Sequence, residues 1–320
     1  MKRVCIIGCG AIGSLYAAHL ARVAEVWVLT RRKEHANALN REGLQVSGTH
    51  NFKATLRATN DPAELPDFDL GIVATKATQV KNSIVGVGAH FDRGALISAQ
   101  NGMGSEEILA EHTRGNVIRG TTFMSGTRHT DTHVQYELNT ATWLGPFEPR
   151  NTPFSVVQEA ADLLVQSGLK AEALRDARPA QWSKLIFNAS VNGVSALTGL
   201  PHSPHFAAEA DFSDLGHLLH ALIDEGKKVA SAAGITLHED PWAMNKIGAM
   251  TNHPPSMLSD VRNQSPTEVD FLSGAIAREA ARMKVPAPLH TAIYRLIKGK
   301  EAGWTFKDEN QPVAHEGVSR

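Results

Sequence analysis

Apolar and polar positions change rhythm once along this chain. In the first half, short apolar runs recur: Val4-Cys5-Ile6-Ile7, Val26-Trp27-Val28-Leu29, Asp69-Leu70-Gly71-Ile72-Val73-Ala74 and Ala95-Leu96-Ile97-Ser98. Runs of this kind, alternating with helical stretches, are the mark of parallel strands covered on both faces. Helical spacing occupies Ser14 to Ala24, 33–43 and Pro153 to Ser167. Val117 to Thr122 reads as a further strand, and Leu169 to Ala173 as a last short one. Leu44 to Ala58 predicts a short antiparallel excursion, and the alternation from His133 to Leu144 predicts two edge strands. From Arg178 the strand-like runs vanish, and helical patterns follow at about 180–198, 206–233, 256–264, 268–283 and 287–299. An α/β half followed by an all-helical half predicts two domains.

One helical stretch stands out, Trp182-Ser183-Lys184-Leu185-Ile186-Phe187-Asn188-Ala189-Ser190-Val191-Asn192. Lys184, Asn188 and Asn192 fall one turn apart on a single face, while most other positions are apolar. A lysine so surrounded is costly unless something answers its charge. Exposed helix faces usually carry Glu, Lys or Arg, so the two asparagines favour a polar stripe lining a cleft over a solvated face.

The first strand feeds Gly8-Cys9-Gly10-Ala11-Ile12-Gly13 and then a helix, which is GxGxxG in the context that gives it meaning. The first glycine allows the turn, the second admits a pyrophosphate to the backbone, and the third lets helix pack on strand. The phosphates would sit on the free N–H groups of the helix N-terminus. This predicts an N-terminal Rossmann-type dinucleotide-binding domain over residues 1–177, a helical catalytic domain over 178–306 and a loose polar tail over 307–320. Past the second strand, where an NAD site would place a carboxylate, stands Thr30-Arg31-Arg32-Lys33. A cationic cluster suits a 2′-phosphate, so NADP(H) is expected, with Arg31 as the contact. Lys76 and Asn101 follow the ends of later strands, at the sheet edge where ligands of open α/β sheets collect.

Composition narrows the classes. The chain has 320 residues, a net charge of −1 and 42% hydrophobic residues, which fits a globular protein and gives no reason to expect nucleic-acid or membrane binding. No segment is long and apolar enough to span a bilayer, and the N-terminus lacks the pattern of a signal peptide. The two cysteines, Cys5 and Cys9, lie too close on one segment for a structural disulfide, which fits a cytoplasmic location. His217, His220 and Asp224 share helical spacing but read as ordinary polar positions, and no metal is expected. The helical half offers a surface for a homodimer without demanding one.

The glycine turn, Lys76, Asn101-Gly102-Met103-Gly104 and Lys184-x3-Asn188-x3-Asn192 together resemble the ketopantoate reductases, or 2-dehydropantoate 2-reductases. Ser256-Met257-Leu258-Ser259-Asp260-Val261-Arg262 and Thr267-Glu268-Val269-Asp270-Phe271-Leu272-Ser273-Gly274 look like that family's other signature. The resemblance implies reduction of ketopantoate to pantoate with NADPH, on the route to pantothenate and coenzyme A, in a cleft between the two domains. It implies cofactor contacts at Gly8, Cys9, Gly10, Ala11, Ile12, Gly13 and Arg31, and a backbone contact at Gly126. Lys76 and Asn101 match the nicotinamide and substrate end, Lys184 the catalytic proton donor, and Asn188, Asn192 and Ser256 the substrate contacts. Glu268 matches a carboxylate that closes over cofactor and substrate. Where the family commonly has an asparagine for substrate, this chain has His202, which leaves the oxo acid itself open. A reductase of another 2-oxo or β-keto acid and a non-catalytic NADPH-binding redox sensor are the alternatives.

Overall fold

A computed structural model describes residues 1–208, 213–251 and 254–305. The chain opens with strand β1 (Arg3–Ile7), helix α1 (Ala11–Leu20), β2 (Glu25–Leu29) and α2 (Lys33–Glu42). Three short strands follow, β3 (Leu44–Gly48), β4 (Phe52–Ala54) and β5 (Arg57–Thr59), then β6 (Leu70–Val73), α3 (Val80–Ile84), β7 (Ala95–Ser98) and α4 (Ser105–His112). Strands β8 (Asn116–Thr122), β9 (Ser125–Thr130), β10 (His133–Leu138) and β11 (Thr142–Pro146) lead to α5 (Phe154–Gln166) and β12 (Ala171–Ala173). Thereafter the described residues hold helices alone: α6 (Arg178–Thr198), α7 (Asp214–Ala232), α8 (Pro241–Ala249), α9 (Ser256–Arg262), α10 (Ser273–Met283) and α11 (Pro288–Gly303), with short 3₁₀ turns between some of them. None of these helices is long and apolar enough to cross a membrane.

The main sheet has the order β12-β11-β8-β7-β6-β1-β2-β5. The chain leaves β1 toward β2 on one side and returns to β6 on the other, so the strand order reverses at β1. A crevice opens at such a switch point, outside the carboxyl ends of the strands. Both Gly8 and Thr75-Lys76 follow strands that end there. A second sheet, β4-β3-β10-β9, lies across α1. Helix α1 is therefore packed between two sheets, and Leu15, Tyr16, Ala17, Ala18, His19 and Leu20 are all buried. His19 gives its Nδ1 to the Leu15 carbonyl at 2.8 Å and meets His50 Nδ1 at 2.9 Å; burial pushes its pKa down to about 4, so it is neutral near pH 7.

This Rossmann-like half and its helical partner have the expected fold class, but some elements fall elsewhere. Neither strand read from His133 to Leu144 is an edge. β10 lies between β3 and β9, while β11 runs antiparallel to β8 and parallel to β12 inside the main sheet. Alternation reports which face of a strand is covered, not how many neighbours it has. Within the excursion from Leu44, β3 and β4 pair antiparallel, but β5 joins the main sheet parallel to β2. β9 and α8 were not foreseen, and the helix expected from 268 starts only at Ser273. The residues 307–320 expected to form a tail lie outside the described residues.

Helix α6 is the axis of the second half. Pro179 sits in its first turn and Gly199 ends it in the left-handed region at φ 76°, a usual start and stop. Trp182, Leu185, Ile186 and Ala189 are buried in one core with Leu219, Leu222 and Ile223 of α7, Ile276 of α10 and Ile293 of α11. That core fixes the rotation of α6, and hence the direction of its polar stripe.

Candidate active site

The glycine turn borders a cleft of about 390 Å³ lined by Gly8, Cys9 and Gly10, the end of β2 with Thr30, Arg31 and Arg32, Thr75 after β6, and Arg128 of β9. The three glycines are not equivalent. Gly8 has φ +92°, and a Cβ there would lie 2.6 Å from Thr75 Cγ2. A Cβ on Gly13 would stand 1.9 Å from the Gly8 carbonyl oxygen, so α1 packs on β1 through bare backbone. At Gly10, by contrast, an added Cβ would meet nothing within 4 Å. Gly10 is also the N-cap of α1 and offers no side-chain cap, so the amide donors there remain for an anion. These features fit the pyrophosphate of a dinucleotide. Cys9 Sγ is 3.2 Å from Ser14 Oγ, and burial pushes its pKa up to about 11, so the thiol is protonated and unreactive near pH 7.

Two neighbouring arginines differ. Arg31 is exposed and has no hydrogen bond or ion pair among the described residues. Arg32 donates to Asp131 at the turn between β9 and β10. Gly126 lies in β9 opposite Tyr136, and a Cβ on it would come within 3.0 Å of Leu15 of α1.

The polar stripe of α6 meets the first half across the seam between the halves. Lys184 donates to the Thr122 carbonyl at the end of β8, and its Nζ stands 5.3 Å from the centre of the Phe123 ring. Burial lowers its pKa to about 8, opposed by the nearby Glu268 carboxylate. Asn188 donates to Asn101 Oδ1 at 3.4 Å. Asn192 accepts from Ser256 Oγ at 3.3 Å and from the Met257 amide at 3.1 Å, joining the stripe to the first turn of α9. Glu268 is buried between α9 and α10; its Oε1 accepts from the Ala77 amide at 2.8 Å, and Asn101 is a further hydrogen-bond partner. Burial raises its pKa above the usual carboxylate value, while the Ala77 amide pulls the other way. Lys76 is paired with Asp260 of α9. Lys76, Asn101, Lys184, Asn188 and Glu268 are thus linked to one seam by contacts between the two halves, while Asn192 and Ser256 bond each other within the helical half.

His202 is placed differently. It is buried, with Nε2 2.9 Å from Asn245 Oδ1 and its ring against Phe187 and Phe206. Phe187 in turn meets Phe123, the ring beside the Lys184 amine. His220 and Asp224 pair with each other at 3.4 Å, and no group of three or more metal-ligating side chains occurs among the described residues.

Sequence reading passed over three contributors. Asp260 is one turn from Ser256 on α9, and that spacing was the available signal. Gln181, one turn before Lys184, donates to the Gly102 carbonyl at 3.1 Å and accepts from buried Arg119, holding the Asn101 loop to α6. Thr122 contributes only its backbone carbonyl, for which no side-chain pattern gives a signal.

Comparison with known proteins matches both halves. Residues 4–149 fit the family described as ketopantoate reductase PanE/ApbA, and residues 176–301 fit its C-terminal part. The chain belongs to the ketopantoate reductase family. It is accordingly an oxidoreductase acting between a keto group and a CH–OH group. Among its relatives, the 2-dehydropantoate 2-reductase of Archaeoglobus fulgidus is 29% identical over 309 residues, covering 95% of this chain and 99% of that one. A PanE/ApbA family ketopantoate reductase structure from Ralstonia eutropha JMP134 superposes with a TM-score of 0.83 at 24% identity, covering 94% of this chain and 98% of that one. A D-mandelate dehydrogenase structure with NADH and anilino(oxo)acetate reaches the same TM-score of 0.83 at 23% identity, over 94% of this chain and 99% of that one. At these identities the two structures speak for the fold alone.

Proposed function

We propose that this reductase converts ketopantoate to pantoate with NADPH, in the cytoplasm, on the route to pantothenate and coenzyme A. The observation that carries the reading is the Lys184 amine at the inter-domain seam, in the field of Glu268 and on the same helix face as two asparagines. The names of the curated relatives support the substrate, and Arg31, which has no partner among the described residues of the glycine-turn cleft, supports a 2′-phosphate.

Gly8 to Gly13 would hold the pyrophosphate, and Arg31 the 2′-phosphate. The nicotinamide supplies a hydride to the carbonyl carbon of the 2-oxo acid. This chain must then manage the charge that develops on the carbonyl oxygen. With a pKa of about 8, Lys184 is mostly an ammonium at neutral pH. It exchanges the Thr122 carbonyl for the substrate oxygen, stabilises the charge there and gives up a proton. Asn188 turns its hydrogen bond from Asn101, and Asn192 and Ser256 turn theirs from each other, to the substrate hydroxyl and carboxylate. Glu268, fixed by the Ala77 amide, keeps Asn101 and Lys184 in place as the seam closes.

The test is NADPH oxidation with ketopantoate beside smaller, bulkier and phenyl-substituted 2-oxo acids. Ketopantoate is expected to have the highest kcat/KM. A higher value for another oxo acid would reassign the substrate. No turnover with any of them, while NADPH binds, would favour a redox sensor.

A further inference from the structure

Among the described residues, the glycine-turn cleft is lined by three arginines, Arg31, Arg32 and Arg128, and by no carboxylate. Arg31 and Arg32 follow β2, where spacing from the glycines points. Arg128 comes from β9 in the second sheet, and no motif drew attention to it. Its position is nonetheless fixed. Arg128 Nη1 donates to Asp131 Oδ1 at 2.8 Å, and Arg32 donates to the same oxygen. The backbone carbonyl of Asp131 is 3.0 Å from Nε2 of buried His35 on α2. The hairpin tip is thereby tied to the start of α2, while β10 pairs with β3 behind it.

Arg128 also faces the glycine turn. Its charge reaches the Cys9 thiol, midway between Gly8 and Gly10, where it favours the ionised form against burial, and the Asp131 carboxylate paired with it acts in the opposite sense. A phosphate on the amide donors at the start of α1 would therefore come under the Arg128 guanidinium. Arg31, just past the end of β2, would stand toward the ribose of such a ligand. A guanidinium has five N–H donors in a planar fork, so one can stay on Asp131 while others take a phosphate oxygen.

We propose that Arg128 is a ligand of the cofactor's pyrophosphate, with Asp131 its positioning residue, so that the β9–β10 hairpin forms the outer wall of the dinucleotide site. This rests on the dinucleotide reading above and adds to it a residue from outside the Rossmann sheet. Arg31 would read the 2′-phosphate, and Arg128 the part common to NADPH and NADH.

The experiment measures binding, not turnover, by titrating NADPH, NADH, ADP-ribose and 2′-AMP into wild type, Arg128→Ala and Arg128→Lys. Loss of a charge-assisted contact should weaken NADPH, NADH and ADP-ribose by one common factor, roughly ten- to a hundredfold. 2′-AMP should be unaffected, and Arg128→Lys should recover part of the loss. Melting curves establish that both variants are folded. Unchanged affinities in folded Arg128→Ala, or a loss confined to NADPH and 2′-AMP, would overturn the assignment. If wild type binds none of the dinucleotide ligands, the cofactor reading fails and this one with it; wild-type binding with an indifferent Arg128 defeats this one alone. For Asp131, Asp131→Ala should weaken ADP-ribose severalfold in wild type and have no further effect in Arg128→Ala. An equal loss in both backgrounds would show that Asp131 does not act through Arg128.

Discussion

At the glycine turn, Gly10 faces open space and Arg31 has no partner among the described residues. On α6, every member of the polar stripe is already bonded to protein: Lys184 to Thr122, Asn188 to Asn101, and Asn192 to Ser256 and Met257. The first region keeps its donors on rigid backbone and a surface side chain, where water satisfies them at little cost. The second lies at a buried seam, where an unpaired polar group costs about 1–3 kcal/mol, so its side chains answer one another. A ligand can enter the first site by filling it. At the second it would have to replace bonds, and two of them, Lys184 to Thr122 and Asn188 to Asn101, join the two halves, so substrate binding there would be coupled to movement of the seam.

The sharpest way to break this contrast is Lys184→Ala. Loss of the proton donor should lower kcat by roughly 10²- to 10⁴-fold, while NADPH affinity, set at the other end, should hold. A near-normal kcat in steady-state assays would remove Lys184 from the chemistry.

Next comes a pair within the glycine turn. Gly13→Ala puts a Cβ on the Gly8 carbonyl and should prevent stable folding or lower Tm steeply. Gly10→Ala meets no protein atom and should leave Tm nearly unchanged. Yet it crowds the phosphate, and overpacking of about 1–3 kcal/mol corresponds to a roughly ten- to hundredfold loss of NADPH affinity. Equal Tm losses in the two variants would mean that Gly10 is not open to a ligand.

Arg31→Ala should weaken NADPH roughly tenfold or more through loss of a charged contact and leave NADH unchanged. Fluorescence titration of both nucleotides decides it; an unaltered ratio would mean that the 2′-phosphate is read elsewhere.

The smallest effect expected is a pH dependence. Lys184 titrates near 8, so reduction needs the form present below that pH. The kcat for reduction should fall through pH 8 and stand roughly tenfold lower at pH 9. Oxidation of the alcohol, which needs the neutral amine, should rise over the same interval. A flat profile in both directions would show that this proton is not transferred in a rate-limiting step.

Much of this was legible because it is local. A strand, three spaced glycines and a helix occupy the first twenty residues, and backbone sterics alone give them meaning. The spacing of Lys184, Asn188 and Asn192 is likewise a property of one helix. The expectations that failed all depended on neighbours. The strands from His133 to Leu144 proved internal, because alternation does not say what pairs on either side. Side-chain partners are no more legible than strand neighbours: Asn245, which meets His202, lies 43 residues away.

The sequence by itself determined the two-part architecture, the glycine turn and the facing of one helix's polar stripe, since hydrophobic periodicity and backbone geometry act over a few residues. Only the tertiary structure decided what answers that stripe, that Asp260 meets Lys76 across 184 residues, and that a hairpin of the second sheet brings Arg128 to the glycines. Electrostatic partners are chosen by distance in space, and the pairing of distant strands and helices sets that distance.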